Sequence, residues 1–169
     1  CITLDASIRS KRERNLRNDY AIPPSPNYEG IRNEENFDPS SDDAAPNFSG
    51  MVSPKVTWEE FDWIASKTDL PLIAKGVMTA EDAKLAVDHG VSAIIVSNHG
   101  GRSLDPTFAT IEVLPEVAET VAGQAEIYLD GGIRRGTDIV KAIALGANAV
   151  LIGRPIFWGL AVNGAEGLG

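Results

Sequence analysis

The sequence predicts an α/β protein whose strands run parallel, and three observations carry that expectation. Short aliphatic runs of the kind that form buried strands begin near residues 71, 92, 126 and 149. One helical pattern separates each run from the next, and parallel neighbours joined by right-handed crossovers are the ordinary solution to that order. A seven-residue unit also recurs: Gly90-Val91-Ser92-Ala93-Ile94-Ile95-Val96 aligns with Gly146-Ala147-Asn148-Ala149-Val150-Leu151-Ile152. Glycine, two small or aliphatic residues, alanine and three aliphatics appear twice, as modular strand-helix units require.

The elements follow in order. Cys1-Ile2-Thr3-Leu4-Asp5 reads as the end of a strand with no cap before it. Thr57 and Glu60 form a capping-box pair that opens a helix running to about Lys67. Pro71-Leu72-Ile73-Ala74-Lys75 is a short buried strand. Thr79 caps a second helix, Ala80 to Asp88, which packs through Ala83, Leu85, Ala86 and Val87 and stops at Gly90. His89, just before that glycine, reads as a favourable charge at a helix C-terminus with no chemistry. A strand over 92–97 comes next, then a helical stretch from Thr110 to Val121 that Pro115 is expected to break or restart. Glu126-Ile127-Tyr128-Leu129-Asp130 is a strand, Thr137 to Leu145 a helix, and Ala149-Val150-Leu151-Ile152 the last strand. Pro155 to Val162 opens an amphipathic helix that stops within a few turns, so both termini look cut from something longer.

Between Ala21 and Pro54 the composition changes. Six of the ten prolines fall there, with six acids, Glu29, Glu34, Glu35, Asp38, Asp42 and Asp43, against one base, Arg32. The segment reads as a long mobile loop, either a lid or insertion beside a site or a disordered spacer.

Composition bounds the function. With 169 residues and 43% hydrophobic content the chain can bury a core as one domain. A net charge of −9, from 24 acids and 15 bases, argues against nucleic acid or an anionic membrane surface as partner. The single cysteine, Cys1, cannot form an internal disulfide, so an oxidising compartment is not implied and an intracellular home is the default. No apolar run reaches the roughly 18 residues of a spanning helix, and the chain reads as soluble.

Open sheets and closed barrels both place sites at the carboxyl ends of parallel strands. Here Asp5, Lys75, His99, Asp130 and Gly153-Arg154 give every candidate strand a polar or glycine-rich end. Convergence of all ends on one mouth favours part of a (β/α)8, or TIM, barrel. His99 and Arg102, in Ser97-Asn98-His99-Gly100-Gly101-Arg102-Ser103-Leu104-Asp105, set a base and a fixed cation at one place. That pairing suits an anionic substrate that loses a proton: imidazole titrates near neutral pH and guanidinium grips a carboxylate in two-pronged fashion. A plainer reading leaves His99 as a turn residue that caps a strand end. Asp130-Gly131-Gly132-Ile133-Arg134-Arg135-Gly136 leads into a helix, and Gly153-Arg154-Pro155 closes the following strand. The two together suit a phosphate, which glycines admit, arginines neutralise and helix N–H groups bind. Alone, Gly-Gly-x-Arg reads equally well as only a helix-entry turn, and Gly153-Arg154 one strand later strengthens the phosphate reading.

Five segments carry a resemblance: Thr3-Leu4-Asp5 with Arg12, Leu70 to Val77, Ser97 to Asp105, Leu129 to Gly136, and Ile152 to Pro155. In order and content they resemble the FMN-dependent 2-hydroxy acid oxidising enzymes, which include glycolate and lactate oxidases, lactate monooxygenase, mandelate dehydrogenase and flavocytochrome lactate dehydrogenases. The likeness covers almost the whole chain except the 21–54 loop, and it makes residues 1–169 the C-terminal part of one FMN-binding barrel domain, about strands 4 to 8. By that resemblance His99 matches the active-site base and Asp5 the carboxylate that holds it and stabilises its protonated form. Arg102 and Arg12 match the two cations that clamp the substrate carboxylate, with His99 also touching substrate. Lys75 matches the lysine beside the flavin pyrimidine edge, and Thr3 and Ser97 match flavin hydrogen-bonding positions. Asp130, Gly131, Gly132, Ile133, Arg134, Gly153 and Arg154 match the ribityl and phosphate contacts. Arg135 reads as a surface or secondary phosphate residue. Read from the residues alone, Asp5 and Arg12 could simply be an ion pair and Lys75 a solvated strand cap.

The resemblance implies oxidation of an L-2-hydroxy acid of lactate or glycolate type to the 2-oxo acid, with oxygen or another electron acceptor, in a homo-oligomer, a tetramer by family likeness. It does not separate cytoplasm from peroxisome. Against the family pattern the first three barrel strands are expected upstream of Cys1, with the tyrosines that touch substrate, so the chain by itself is expected to be inactive. Two alternatives stand beside this. One is another FMN- or phosphate-binding barrel oxidoreductase, such as an IMP dehydrogenase-like protein, which would want a catalytic loop cysteine where the only cysteine is Cys1. The other is a non-catalytic fragment that keeps the phosphate grip.

Overall fold

The structure, a computed structural model, describes residues 1–6, 13–20 and 56–168. The chain divides into two units, Cys1–Asp5 with Val56–Gly169, and Ala6–Lys55. In the second unit the described residues form one short helix, α1 (Glu13–Arg17), in which Arg17 pairs with Glu13 one turn away at 2.6 Å. The 21–54 loop and Arg12 lie outside the described residues.

The first unit is a five-stranded sheet, β1 (Ile2–Thr3), β2 (Ile73–Val77), β3 (Ala93–Val96), β4 (Glu126–Leu129) and β5 (Ala149–Val150). Its strands stand in the order β1-β2-β3-β4-β5 and every pair is parallel. A doubly wound sheet reverses its order at a switch point, whereas five successive parallel neighbours without reversal are an arc of a (β/α)8 barrel.

The helices α2 (Trp58–Ala65), α3 (Ala80–Asp88), α4 (Thr110–Val121), α5 (Gly136–Ala144) and α6 (Arg154–Asn163) connect or follow these strands. The main core lies between helices and sheet: Ala74, Val77, Ile94, Val96, Ile127 and Leu129 meet Phe61, Ala83, Ala86, Leu114, Val117, Val121 and Ala142. By the two-residue period of a strand, Thr3, Lys75, Ile95 and Tyr128, which are register partners in turn, share the opposite face. That face becomes the inside of a barrel.

Local chemistry explains the element ends. The Thr57 hydroxyl accepts from the Glu60 N–H and the Glu60 carboxylate from the Thr57 N–H, the capping box expected from sequence. Thr79 caps α3 by accepting from the Asp82 N–H at 3.2 Å. The repeated unit builds the same turn twice. Val91 N–H donates to Ala86 O and Ser92 N–H to Leu72 O, just before β2; Ala147 N–H donates to Ala142 O and Asn148 N–H to Ile127 O of β4. Gly90 at φ +73° and Gly146 at φ +111° begin these turns in left-handed backbone that favours glycine.

Several boundaries differ from the sequence expectation. The second strand is Ile73–Val77 instead of 71–75, so Lys75 sits inside it, and the last strand pairs only over Ala149–Val150. Leu85 is 40% exposed because α3 turns Ala83 and Ala86 inward. Pro115 does not break α4. Its missing N–H costs about 3 kcal/mol, but burial of Leu114, Val117 and Val121 contributes roughly 1.5–3 kcal/mol each and keeps the helix continuous. His89 has a definite partner: at the end of α3 its Nδ1 lies 2.7 Å from Asp62 Oδ1, and its ring stacks on Trp58. The residue ties α2 to α3. Among the described residues no helix is long and apolar enough to cross a membrane.

Candidate active site

The carboxyl ends of the five strands converge as the sequence predicts. β1 continues past Thr3 with Leu4 N–H donating to Lys75 O at 2.8 Å, which delivers Asp5 to the rim. There Asp5 lies against Gly76, where the sheet register shifts between Lys75 and Val77. Gly76 has φ +100°, and a Cβ there would stand 2.6 Å from Asp5 Cγ. Only glycine admits the carboxylate so close. Asp5 Oδ1 faces His99 Nδ1 at 3.0 Å, with the Asp5 side chain 16% exposed and the His99 ring 31% exposed. With the Nδ1–H directed onto Asp5, Nε2 keeps its lone pair for a proton.

His99 occupies a strained turn. Its φ is +57°, followed by Gly100 at +66° and Gly101 at +71°, and a left-handed residue that is not glycine costs on the order of 1–3 kcal/mol unless its surroundings hold it. Beside the turn's own backbone bonds, Gly101 N–H to Asn98 O and Arg102 N–H to His99 O, four hydrogen bonds with side chains do so. Ser97 Oγ accepts from the His99 N–H at 3.1 Å, and Asn98 Oδ1 from the Gly101 N–H at 3.3 Å. Asn98 Nδ2 donates to Phe108 O, and an Arg154 guanidinium nitrogen donates to Gly100 O at 2.9 Å. Arg102 ends this turn, exposed, its side chain without an ion pair among the described residues.

Beside the turn, Lys75 Nζ donates to the buried Ser97 Oγ at 2.9 Å and lies 3.4 Å from Asp130 Oδ2. Lys75 is thus partly buried at the rim and not a solvated cap. Thr3, its register partner, lies half-buried alongside. The buried Thr110 hydroxyl donates to Asp130 O at 2.6 Å and fixes the start of the glycine turn, in which Gly131 and Gly132 have φ of +86° and +79°. Ile133 is buried beneath it.

At the entrance of α5 the Arg134 and Arg135 N–H groups, which precede the first helical residue Gly136, both donate to Asp138 Oδ2 at 3.0 Å. Those two bonds, Arg134 first, hold the Asp138 carboxyl below its ordinary pKa. Arg135 is the exposed N-cap residue. Arg134 places its guanidinium 5.6 Å from the Trp158 ring centroid, and Gly153 leads into Arg154 at the start of α6. Sequence reasoning missed Gly76, Asn98, Thr110 and Trp158. Asn before His-Gly-Gly is a readable turn signal; the others act through contacts that no local pattern announces.

With this rim in place, the sequence pattern of the family described as FMN-dependent dehydrogenase matches residues 1–169. The chain belongs to that family. It is 45% identical over 172 residues to the L-lactate oxidase of a Nostoc species, covering 99% of this chain and 47% of that protein. It is 45% identical over 174 residues to human 2-hydroxyacid oxidase 1, again over 99% of this chain and 47% of the relative. A crystal structure of mandelate oxidase with (S)-2-phenylpropionate is similar with a TM-score of 0.78 and 42% identity, over 98% of this chain and 44% of that one. The chain therefore spans about half the length of the relatives it matches.

The family's cofactor is FMN, and the rim fits it. Asp5 Oδ2 and Asp130 Oδ1 are buried carboxylate oxygens with no hydrogen-bond partner among the described residues. A buried acceptor of that kind calls for a donor, and hydroxyl-bearing ligands supply one. A Cβ at Gly132 or Gly153 would meet nothing within 4 Å, so both face open space into which a phosphate can approach. Arg134 and Arg154 stand beside them, and the Lys75 ammonium has a donor to spare.

Proposed function

We propose that the protein to which this chain contributes oxidises a small L-2-hydroxy acid of the lactate or glycolate type to the 2-oxo acid, with His99 as the base. The observation that carries the reading is the 3.0 Å contact of His99 Nδ1 with a mostly buried Asp5, in a ring that is itself only partly buried, so that Nε2 is the nitrogen left for a proton. A base oriented by a carboxylate beside a free guanidinium is what an α-hydroxy carboxylate requires.

Oxidation removes two electrons and two protons from the substrate. FMN, which Arg134, Arg154, Gly132 and Gly153 would hold at its phosphate and Asp130, Lys75, Ser97 and Thr3 along its length, would supply the acceptor for the two electrons and for the proton that His99 does not take. Arg102 binds the substrate carboxylate and fixes the hydroxyl-bearing carbon against His99; Arg12, the second cation that the resemblance implies, lies outside the described residues. His99 Nε2 takes a proton from the substrate, and Asp5 stabilises the imidazolium that forms. Holding the partners in one geometry supplies much of the acceleration. Lys75 brings positive charge to the place where negative charge develops. A further acceptor, oxygen in an oxidase, would then have to take the electrons onward.

The test uses the protein containing this chain, loaded with FMN and mixed with lactate, glycolate or mandelate without oxygen. Bleaching of the yellow colour is expected, and His99→Gln should keep the colour and lose the bleaching. Turnover that survives His99→Gln would remove the assigned base; colour that never bleaches with any 2-hydroxy acid would favour a non-catalytic protein.

A further inference from the structure

We propose that Arg154 is a positioning residue for the His99 turn as well as a phosphate ligand, so that seating the flavin phosphate and fixing the base are one coupled event. The inference rests on the functional reading above. Arg154 opens α6, 54 residues beyond Gly100, yet one guanidinium nitrogen donates to the Gly100 carbonyl at 2.9 Å. Gly100 is the peptide next to the base, and a Cβ there would stand 2.9 Å from the same nitrogen. The guanidinium therefore touches the turn at the Gly100 carbonyl and occupies the space that a side chain on residue 100 would need.

The need for a clamp is local. His99 is held at φ +57°, which residues with a side chain adopt uncommonly, and Gly100 follows at +66°, which glycine adopts freely and so does not fix by itself. Ser97 fixes the His99 N–H, Asn98 fixes the Gly101 N–H and the Arg102 N–H donates to the His99 carbonyl; among the described residues Arg154 is what holds the Gly100 carbonyl. A guanidinium presents five N–H donors in a planar fork. One is used on Gly100, and the rest of this exposed head is available to a phosphate at Gly153. An anion that pins the fork pins the turn, and by linkage an ordered turn tightens the grip on the anion. A lysine would keep the charge but, as a single point donor on a flexible stem, would not bridge both groups.

The experiment compares the protein containing this chain with Arg154→Lys and, as a control, Arg134→Lys, which faces phosphate without touching Gly100. Amide hydrogen exchange across residues 98–102 is read without flavin, with riboflavin and with FMN. In the natural sequence FMN should slow exchange there more than riboflavin does; Arg154→Lys should lose that phosphate-dependent difference and Arg134→Lys should keep it. At saturating FMN, Arg154→Lys should reduce anaerobic bleaching about tenfold in kcat with a smaller change in KM. Gly100→Ala supplies a second route: it should weaken FMN by about fivefold or more, the ordinary size of such coupling, while riboflavin affinity stays. Natural exchange and natural kcat in FMN-saturated Arg154→Lys, or unchanged FMN affinity in Gly100→Ala, would overturn the coupling and leave Arg154 a phosphate ligand only. Failure of the unaltered protein to bind FMN would instead remove the functional reading itself.

Discussion

Replacing Gly76 by alanine should disable the base without touching it. Carbon atoms in contact stand about 3.5–4.0 Å apart, and the new Cβ would lie 2.6 Å from Asp5 Cγ and 2.7 Å from Asp5 Cβ. Asp5 must therefore retreat by about 1 Å. That lengthens the 3.0 Å contact with His99 Nδ1 to about 4 Å, beyond hydrogen-bond range. A misplacement of this size costs on the order of 10²-fold in rate. Alanine at φ +100° adds backbone strain of about 1–3 kcal/mol. The assay is rapid-mixing flavin reduction at saturating substrate, with thermal melting alongside. Val121→Ala is the control, since Val121 is fully buried in α4 away from the rim and loses comparable stability. Gly76→Ala should slow reduction about a hundredfold where Val121→Ala changes it little. Near-natural reduction in a folded Gly76→Ala protein would refute the claim that Asp5 reaches its place through the missing side chain.

Three further outcomes are expected. Leu114→Ala empties a fully buried position of α4 and should lower unfolding free energy by about 2–5 kcal/mol in urea titrations. Trp158→Ala removes the ring beside Arg134 and should weaken FMN binding about two- to fivefold, the equivalent of a cation–π contact of roughly 0.5–1 kcal/mol, read by flavin fluorescence. Asp138 is ionised more readily in the folded state because the Arg134 and Arg135 N–H groups bind its carboxylate. A depressed folded pKa gives stability that is present above the unfolded value and is lost as pH falls through the folded one. Asp138→Ala should accordingly lower the melting temperature at neutral pH by an amount that stays level down to about pH 4 and shrinks below it.

The succession of strands and helices, the capping residues Thr57 and Thr79, and the polar strand ends were legible because each is a local matter. Hydrophobic period, turn chemistry and caps act over a few residues, and the repeated Gly-to-aliphatic unit builds an identical hydrogen-bonded turn at both of its occurrences. The motif around His99 announced a base and a cation for the same reason. Strand boundaries shifted by a residue or two, because pairing partners set them. Pro115 was misread because propensity inside one helix gave way to burial along its inner side.

Only the tertiary structure decided which groups meet. Asp5 and His99 are 94 residues apart and Arg154 and Gly100 are 54 apart; parallel crossovers bring their strand ends to one rim, and no sequence period encodes that distance. Gly76 admits Asp5, Thr110 fixes the Asp130 turn, and Asp138 takes the two amides just before α5. Sequence determines which chemistry each strand end can offer. Packing of neighbouring strands, at separations fixed by the backbone ladder, decides which of those offers are combined into a site.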